Sequence, residues 1–106
     1  MSRRRVVRAV VTEADNSTRT IAPAGRDAQT LTALVYAGPI GITALDIAHW
    51  AVRLSHYIFK LRHVYGLDIA MVEEMHGGDY PGRHGRYVLR SQVRLIAIDD
   101  EHGRAA

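Results

Sequence analysis

The stretch TALDIAHWAVRLSHYIFKLR, residues 43–62, decides the fold, and it is followed by a glycine-rich hairpin signal that ends in HGRYVL, residues 84–89. Thr43 and Asp46 have the spacing of a capping box with a shorter acid, so a helix is expected to open at Ala44 and run to Trp50. A turn at Ala51 and Val52 leads to another helix, over 53–64, ended by Gly66. In it Leu54, Ile58 and Leu61, with Tyr57 and Val64, recur at helical spacing and form one apolar stripe. Arg53, Ser55, His56, Phe59, Lys60, Arg62 and His63 are left for the other face. No acid occurs between Leu54 and Leu67, whereas an ordinary solvated helix carries both signs, often in pairs four apart. An acid-free helix face suits a polyanion.

Working outward, residues 67–72 and 86–90 alternate in the manner of strands, and EEMHGGDYPGRHG between them permits a long irregular loop. Two strands joined by that loop make a small antiparallel wing. Upstream, residues 27–37 place Ala28, Leu31, Leu34 and Val35 on one helical face, with Asp27 positioned to cap the first turn and Gly38-Pro39 to stop it. Residues 40–42 are short, β-branched and bounded by glycine, as suits a single small strand. At the N-terminus, residues 5–12 are rich in valine and 18–21 can return beside them, so a hairpin or an extended arm is expected. The end, AIDDEHGRAA, reads as a frayed acidic tail after Val93, Leu95 and Ile96.

Length and composition narrow the function classes. A chain of 106 residues fits one core and folds without a staple. There is no cysteine, which excludes disulfides, thiolate zinc sites and thiol nucleophiles and fits a reducing cytoplasm. No apolar run reaches the roughly 20 residues that cross a bilayer, and RRRVVRAVV is broken by Arg8, so neither a membrane span nor a signal peptide is expected. The net charge is only +3, but its distribution is uneven. Arg3, Arg4, Arg5 and Arg8 load the start and Arg53, Lys60, Arg62, Arg83, Arg86, Arg90 and Arg94 fall in the helix and wing expected to read a partner, while Asp99, Asp100 and Glu101 form a small acidic tail. That asymmetry favours an anionic partner.

The order helix, short strand, two helices, wing resembles the winged helix-turn-helix domains. The segments GRDAQTLTALVYAG, RLSHYIFKLRHVYGLDI and EEMHGGDYPGRHGRYVL are similar to small winged helix proteins of alphaproteobacteria and their prophages, over residues 18–95. The resemblance implies an α+β fold of three helices plus a small antiparallel β-wing, with a DNA-binding role. At residues 45–48 the chain departs from that group, in which a proline-containing turn is usual, and a longer second helix is expected here. Three segments follow: a basic N-terminal arm or β-hairpin over 1–22, the winged helix domain over 23–96, and a flexible acidic tail over 97–106.

Groove chemistry then assigns roles. Ser55, His56, Phe59 and Lys60 would meet base edges, with Lys60 reaching guanine O6 or N7. Arg53, Arg62 and His63 would meet phosphates, and Arg83 and Arg86 on the wing would touch the backbone or a minor groove. Phe59 is core instead if the helix is rotated by one position, and Ser55 is a helix cap instead if the helix starts there. Trp50 is expected between the helices.

His49, His56 and His63 stand seven apart and, only if 44–64 were one unbroken helix, would stack on one face and could bind zinc or nickel together with His76 or His84. Ligands on one helix normally lie three or four apart, so no metal site is expected. No catalytic constellation, nucleotide loop or cofactor motif is present, so the chain is expected to be a binder and not an enzyme. Its expected partner is double-stranded DNA, read as a transcription regulator and as a homodimer that uses either Val6, Val10 and Ile21 or residues 95–98. The competing class is a phage-type module that turns the same fold against another protein.

Overall fold

The computed structural model describes residues 5–48, 50, 53–76 and 82–100, the side chains of 75, 76, 82–84, 99 and 100 excepted. Its elements are β1 (Arg5–Thr12), β2 (Thr18–Ile21), α1 (Gly25–Ala37), a single 3-10 turn (Gly38–Ile40), β3 (Ile42–Thr43), α2 (Leu54–His63), β4 (Ile69–His76), β5 (Gly82–Leu89) and β6 (Gln92–Asp100).

The strands form two antiparallel three-stranded sheets, ordered β2-β1-β6 and β3-β5-β4. In the first, Ala9 lies opposite Ile21 on one side and Leu95 on the other, so the valine-rich strand is the centre of its sheet. Val7, Ala9 and Val11 are buried on its inner face, the two-residue alternation of a sheet with one dry side. The hairpin is closed by Asn16 at φ 69 and by Asp15, which accepts hydrogen bonds from the Ser17 amide at 3.0 Å and hydroxyl at 2.6 Å. An Asx turn of this kind is what an aspartate followed by asparagine and serine supplies locally. The segment is therefore a hairpin and not a free arm, and residues 97–100, expected as tail, continue β6 along β1.

Both sheets and both helices share one core. Ala9, Val11 and Ile21 meet Leu31 and Leu34 of α1, Leu54, Ile58 and Leu61 of α2, and Ile42, Leu67 and Ile69 at the wing's base. Each such aliphatic side chain contributes roughly 1.5–3 kcal/mol when taken out of water. The amphipathic stripes of both helices are as their spacing predicts.

The expected three-helix count is corrected to two α-helices among the described residues. Between β3 and α2 the chain makes successive turns, with Asp46 N donating to Thr43 O at 3.1 Å, Ala48 N to Leu45 O at 3.4 Å and Trp50 N to Ile47 O at 3.0 Å. The capping pair itself forms, since Thr43 N donates to Asp46 Oδ2 at 2.9 Å and Asp46 N to Thr43 Oγ1 at 3.4 Å. A cap does not make a helix when nucleation is costly and the segment has little to bury. Ile47 is buried but Leu45 is 77% exposed, so no stripe holds a helix against the core. The longer second helix expected from the departure at 45–48 is overturned for the same reason; His49, Ala51 and Val52 lie outside the described residues.

The wing is more regular than its glycines suggest. Ile69 pairs with Leu89 and the register continues to His76 opposite Gly82, so strand pairing takes up both ends of the expected loop; residues 77–81 lie outside the described residues. The small strand is Ile42–Thr43, paired with Tyr87 and Arg86. Gly41, at φ +74, is the residue that lets the chain pass close to β5, since a Cβ there would collide with the Tyr87 carbonyl.

Candidate nucleic-acid interface

α2 presents the candidate surface. Its inward positions Leu54, Ile58 and Leu61 are buried, which turns Arg53, Ser55, His56, Phe59, His63 and Val64 to solvent. There is no acid in its first turn, and Lys60, Arg62 and His63 occupy its last, the polarity that complements the helix dipole. Arg53 is the N-cap residue and no side chain caps the helix, so Ser55 is an exposed surface residue and not a cap. Phe59 is 58% exposed, which settles the rotation of the helix against a core role. Its ring lies 4.3 Å from that of His63 at a 40° tilt, while His56 meets Tyr57 edge-on at 5.7 Å.

The cations of the helix are less available than their number suggests. Lys60 Nζ lies 2.8 Å from Asp27 Oδ2, with the lysine side chain 41% and the aspartate side chain 7% exposed. Arg62 donates from Nε at 3.1 Å and Nη2 at 2.6 Å to the Ile69 carbonyl, tying the end of α2 to the start of β4. One carboxylate from another segment thus reaches a surface expected to be free of acids, and two expected DNA contacts, Lys60 and Arg62, are engaged within the fold. Arg53 forms no ion pair among the described residues.

Asp27, expected as a cap of the first turn, lies on the buried face of α1 instead. It stands in helical phase with Leu31 and Leu34, so α1 buries it on the same face, and a buried carboxylate requires a counter-charge or hydrogen bonds. It does not cap α1, whose N-cap is Ala24 without a side-chain bond. The only lysine of the chain meets it.

On the wing, Arg86 Nε donates to Glu74 Oε2 at 2.8 Å and Nη1 to the Ile40 carbonyl at 3.2 Å. The bond to Glu74 raises the guanidinium pKa further above its ordinary value. Arg86 therefore ties the wing to the turn after α1. The side chain of Arg83, the other wing residue expected at DNA, lies outside the described residues. Between the wing and the start of α2 is a cleft of about 230 Å³ lined by Arg53, Leu54, Ser55, Gly85, Tyr87, Ala44 and Leu45. Helix face, cleft and wing are thus contiguous.

Trp50 is half-buried against the core, and the Arg26 guanidinium lies 5.7 Å from the centroid of its ring. His56 and His63 are both exposed on α2, but no group of three possible metal ligands converges among the described residues. His49 and the side chains of His76 and His84, invoked for such a site, lie outside them. No described helix is long and apolar enough to cross a membrane.

No curated protein and no solved structure matches the chain. A family model described as a winged helix domain does match, over residues 20–99, which takes in both helices, the wing and nearly all of β6. That span accounts for most of the sequence, and the helix-and-wing geometry agrees with it, so the chain belongs to the winged helix domain family.

Proposed function

We propose that this winged helix protein is a cytoplasmic transcription regulator that binds double-stranded DNA, with α2 in the major groove and the wing against the backbone or an adjacent minor groove. The observation that carries the reading is the solvent-facing side of α2. It holds no acid of its own and offers Arg53, Ser55, His56, Phe59 and His63 beside the wing cleft. Ser55 and His56 supply groups that donate or accept at base edges, and Phe59 supplies apolar contact of the kind a thymine methyl takes. Arg53 and His63 meet phosphates. Lys60 reaches a base or phosphate only by giving up part of its contact with Asp27. The reading is of a binder and not a catalyst. A single copy spans few base pairs, so discrimination calls for two copies on a paired site.

The exposed Phe59, Val64 and Leu45 favour the second reading, a prophage-type module that docks these apolar groups on another protein. Selection from a random duplex library at near-physiological salt separates the two. An enriched motif whose affinity falls steeply with salt, and which is lost in Arg53→Glu, supports DNA recognition. No enrichment, with no duplex retained even at low salt, overturns it in favour of the protein-docking module.

A further inference from the structure

β6 is the outer strand of its sheet, in the order β2-β1-β6. One edge of its backbone is paired to β1 from Gln92 to Asp100. Along the other edge no strand pairs with it among the described residues. A row of backbone amides and carbonyls this long is a template for another strand, and proteins normally blunt such edges with proline, charged side chains, bulges or short length. β6 has nine residues and no proline, and its blunting is limited to Arg94 near its start, Asp99 and Asp100 at its end and one bulge at Ile96. The register shift between Arg8 and Ala9 skips Ile96, which has no partner in β1, and Ile96 and Ile98 are each 46% exposed.

The charges of the strand select the occupant. Arg94 stands near its start, Asp99 and Asp100 at its end, and the apolar residues lie between them. A strand that begins positive and ends negative is complementary to a second copy of itself only in the antiparallel sense. Parallel pairing would set Arg94 against Arg94 and the acids against each other, and like charges opposed across strands are destabilising. We propose that two copies of this chain pair antiparallel along β6 about a two-fold axis near Ile96 and Ala97. The two sheets become one of six strands, with Arg94 of each copy at the Asp99–Asp100 end of the other. The contact is isologous and therefore closes at two copies. It names the surface of the dimer suggested above, but it rests on β6 and not on the DNA reading.

The test is light scattering on the full chain without DNA. At roughly 100 µM, a concentration that populates even a micromolar dimer, the expected mass is twice the chain's 11.8 kDa. Arg94→Asp places acids against acids at both ends and should weaken dimerisation about tenfold or more. Asp99→Arg should weaken it in the opposite sense of charge; Asp99 is chosen because Asp100 already faces Arg5 across β1. Mixing the two variants in equal amounts should restore a dimer, because each end of the mixed pair again joins opposite charges. That rescue cannot come from misfolded chains. A monomeric parent chain, a dimer that neither variant weakens, or a mixture that stays monomeric would each overturn the proposal. A monomeric parent would leave the edge to an extended segment of another protein.

Discussion

Lys60 of α2 reaches Asp27 in the first turn of α1, Nζ to Oδ2 at 2.8 Å, so the helix proposed to read DNA is held to its supporting helix by one of the cations proposed to contact DNA. Stability and affinity therefore draw on the same charge. Asp27→Asn keeps the shape of the side chain but removes the carboxylate. It should cost about 1–2 kcal/mol, less than a fully buried pair because Lys60 keeps part of its hydration. In a domain of this size that lowers Tm by roughly 4–16 °C. The same change removes the hold of the Asp27 carboxylate on Lys60, so duplex affinity at low salt should rise while the protein becomes less stable. Thermal melts and fluorescence anisotropy on the same variant check both halves, and an affinity that falls in step with stability would show that Lys60 takes no part in binding.

Arg53 should behave in the opposite way. It is exposed at the N-cap of α2 and forms no ion pair among the described residues. Arg53→Gln should leave the melting temperature unchanged and weaken binding to all duplexes alike. If it meets one phosphate, the slope of log affinity against log salt should become shallower by about 0.9. A loss confined to one base position, with the slope intact, would make Arg53 a base reader.

These two residues show what was legible in the sequence. Periodicity places Leu54, Ile58 and Leu61 inside and Arg53, Ser55, His56 and Phe59 outside, because each helix face is a local property of spacing. What a lysine or arginine does at the boundary of that face depends on partners far along the chain. Lys60 meets Asp27, Arg62 meets the Ile69 carbonyl, and both are contacts between elements. The overestimated helix at 44–50 has a related cause, since its cap is local and correct while the burial needed to extend it is not. The N-terminal hairpin is legible as two strands. That β1 becomes a sheet centre depends on β6, more than seventy residues away, so a chain cut back to 18–95 would lose the middle of a sheet and not a dispensable arm.

The hairpin turn has its own pH signature. The Ser17 hydroxyl, then its amide, hydrogen-bonds Asp15 and holds that carboxyl below its ordinary value of 3.8. A depressed carboxylate contributes stability that is present above the unfolded value and is lost as pH falls through the folded one. The contribution of Asp15 is therefore flat near neutrality and fades only below 3.8. Following the side-chain carboxyl carbon by NMR should give a midpoint under that value, and Ser17→Ala should move it up. An unmoved midpoint would mean that the hydroxyl does not hold the carboxylate.

Two glycines give a paired test of how the wing is seated. Gly38 and Gly41 both have positive φ, +58 and +74, but their surroundings differ. A Cβ on Gly38 meets nothing within 4 Å, whereas one on Gly41 would run into the Tyr87 carbonyl and lie 2.8 Å from Val88 Cγ2. Gly38→Ala then carries backbone strain alone, about 1–3 kcal/mol at φ +58 and ψ −137. Gly41→Ala carries the same kind of strain at φ +74 and ψ −177 and adds a collision with the backbone of β5, which is fixed by its pairing with β4 and cannot yield cheaply, costing about 2 kcal/mol or more beyond the strain. Chemical denaturation should separate the two variants by at least about 2 kcal/mol at equal m. Because β3 joins the wing through this contact, Gly41→Ala should also displace Tyr87 and open the cleft beside Arg53, so its loss of duplex affinity should exceed what the unfolded fraction explains. Equal destabilisation of the two variants would mean that β3 is not held against β5 in solution.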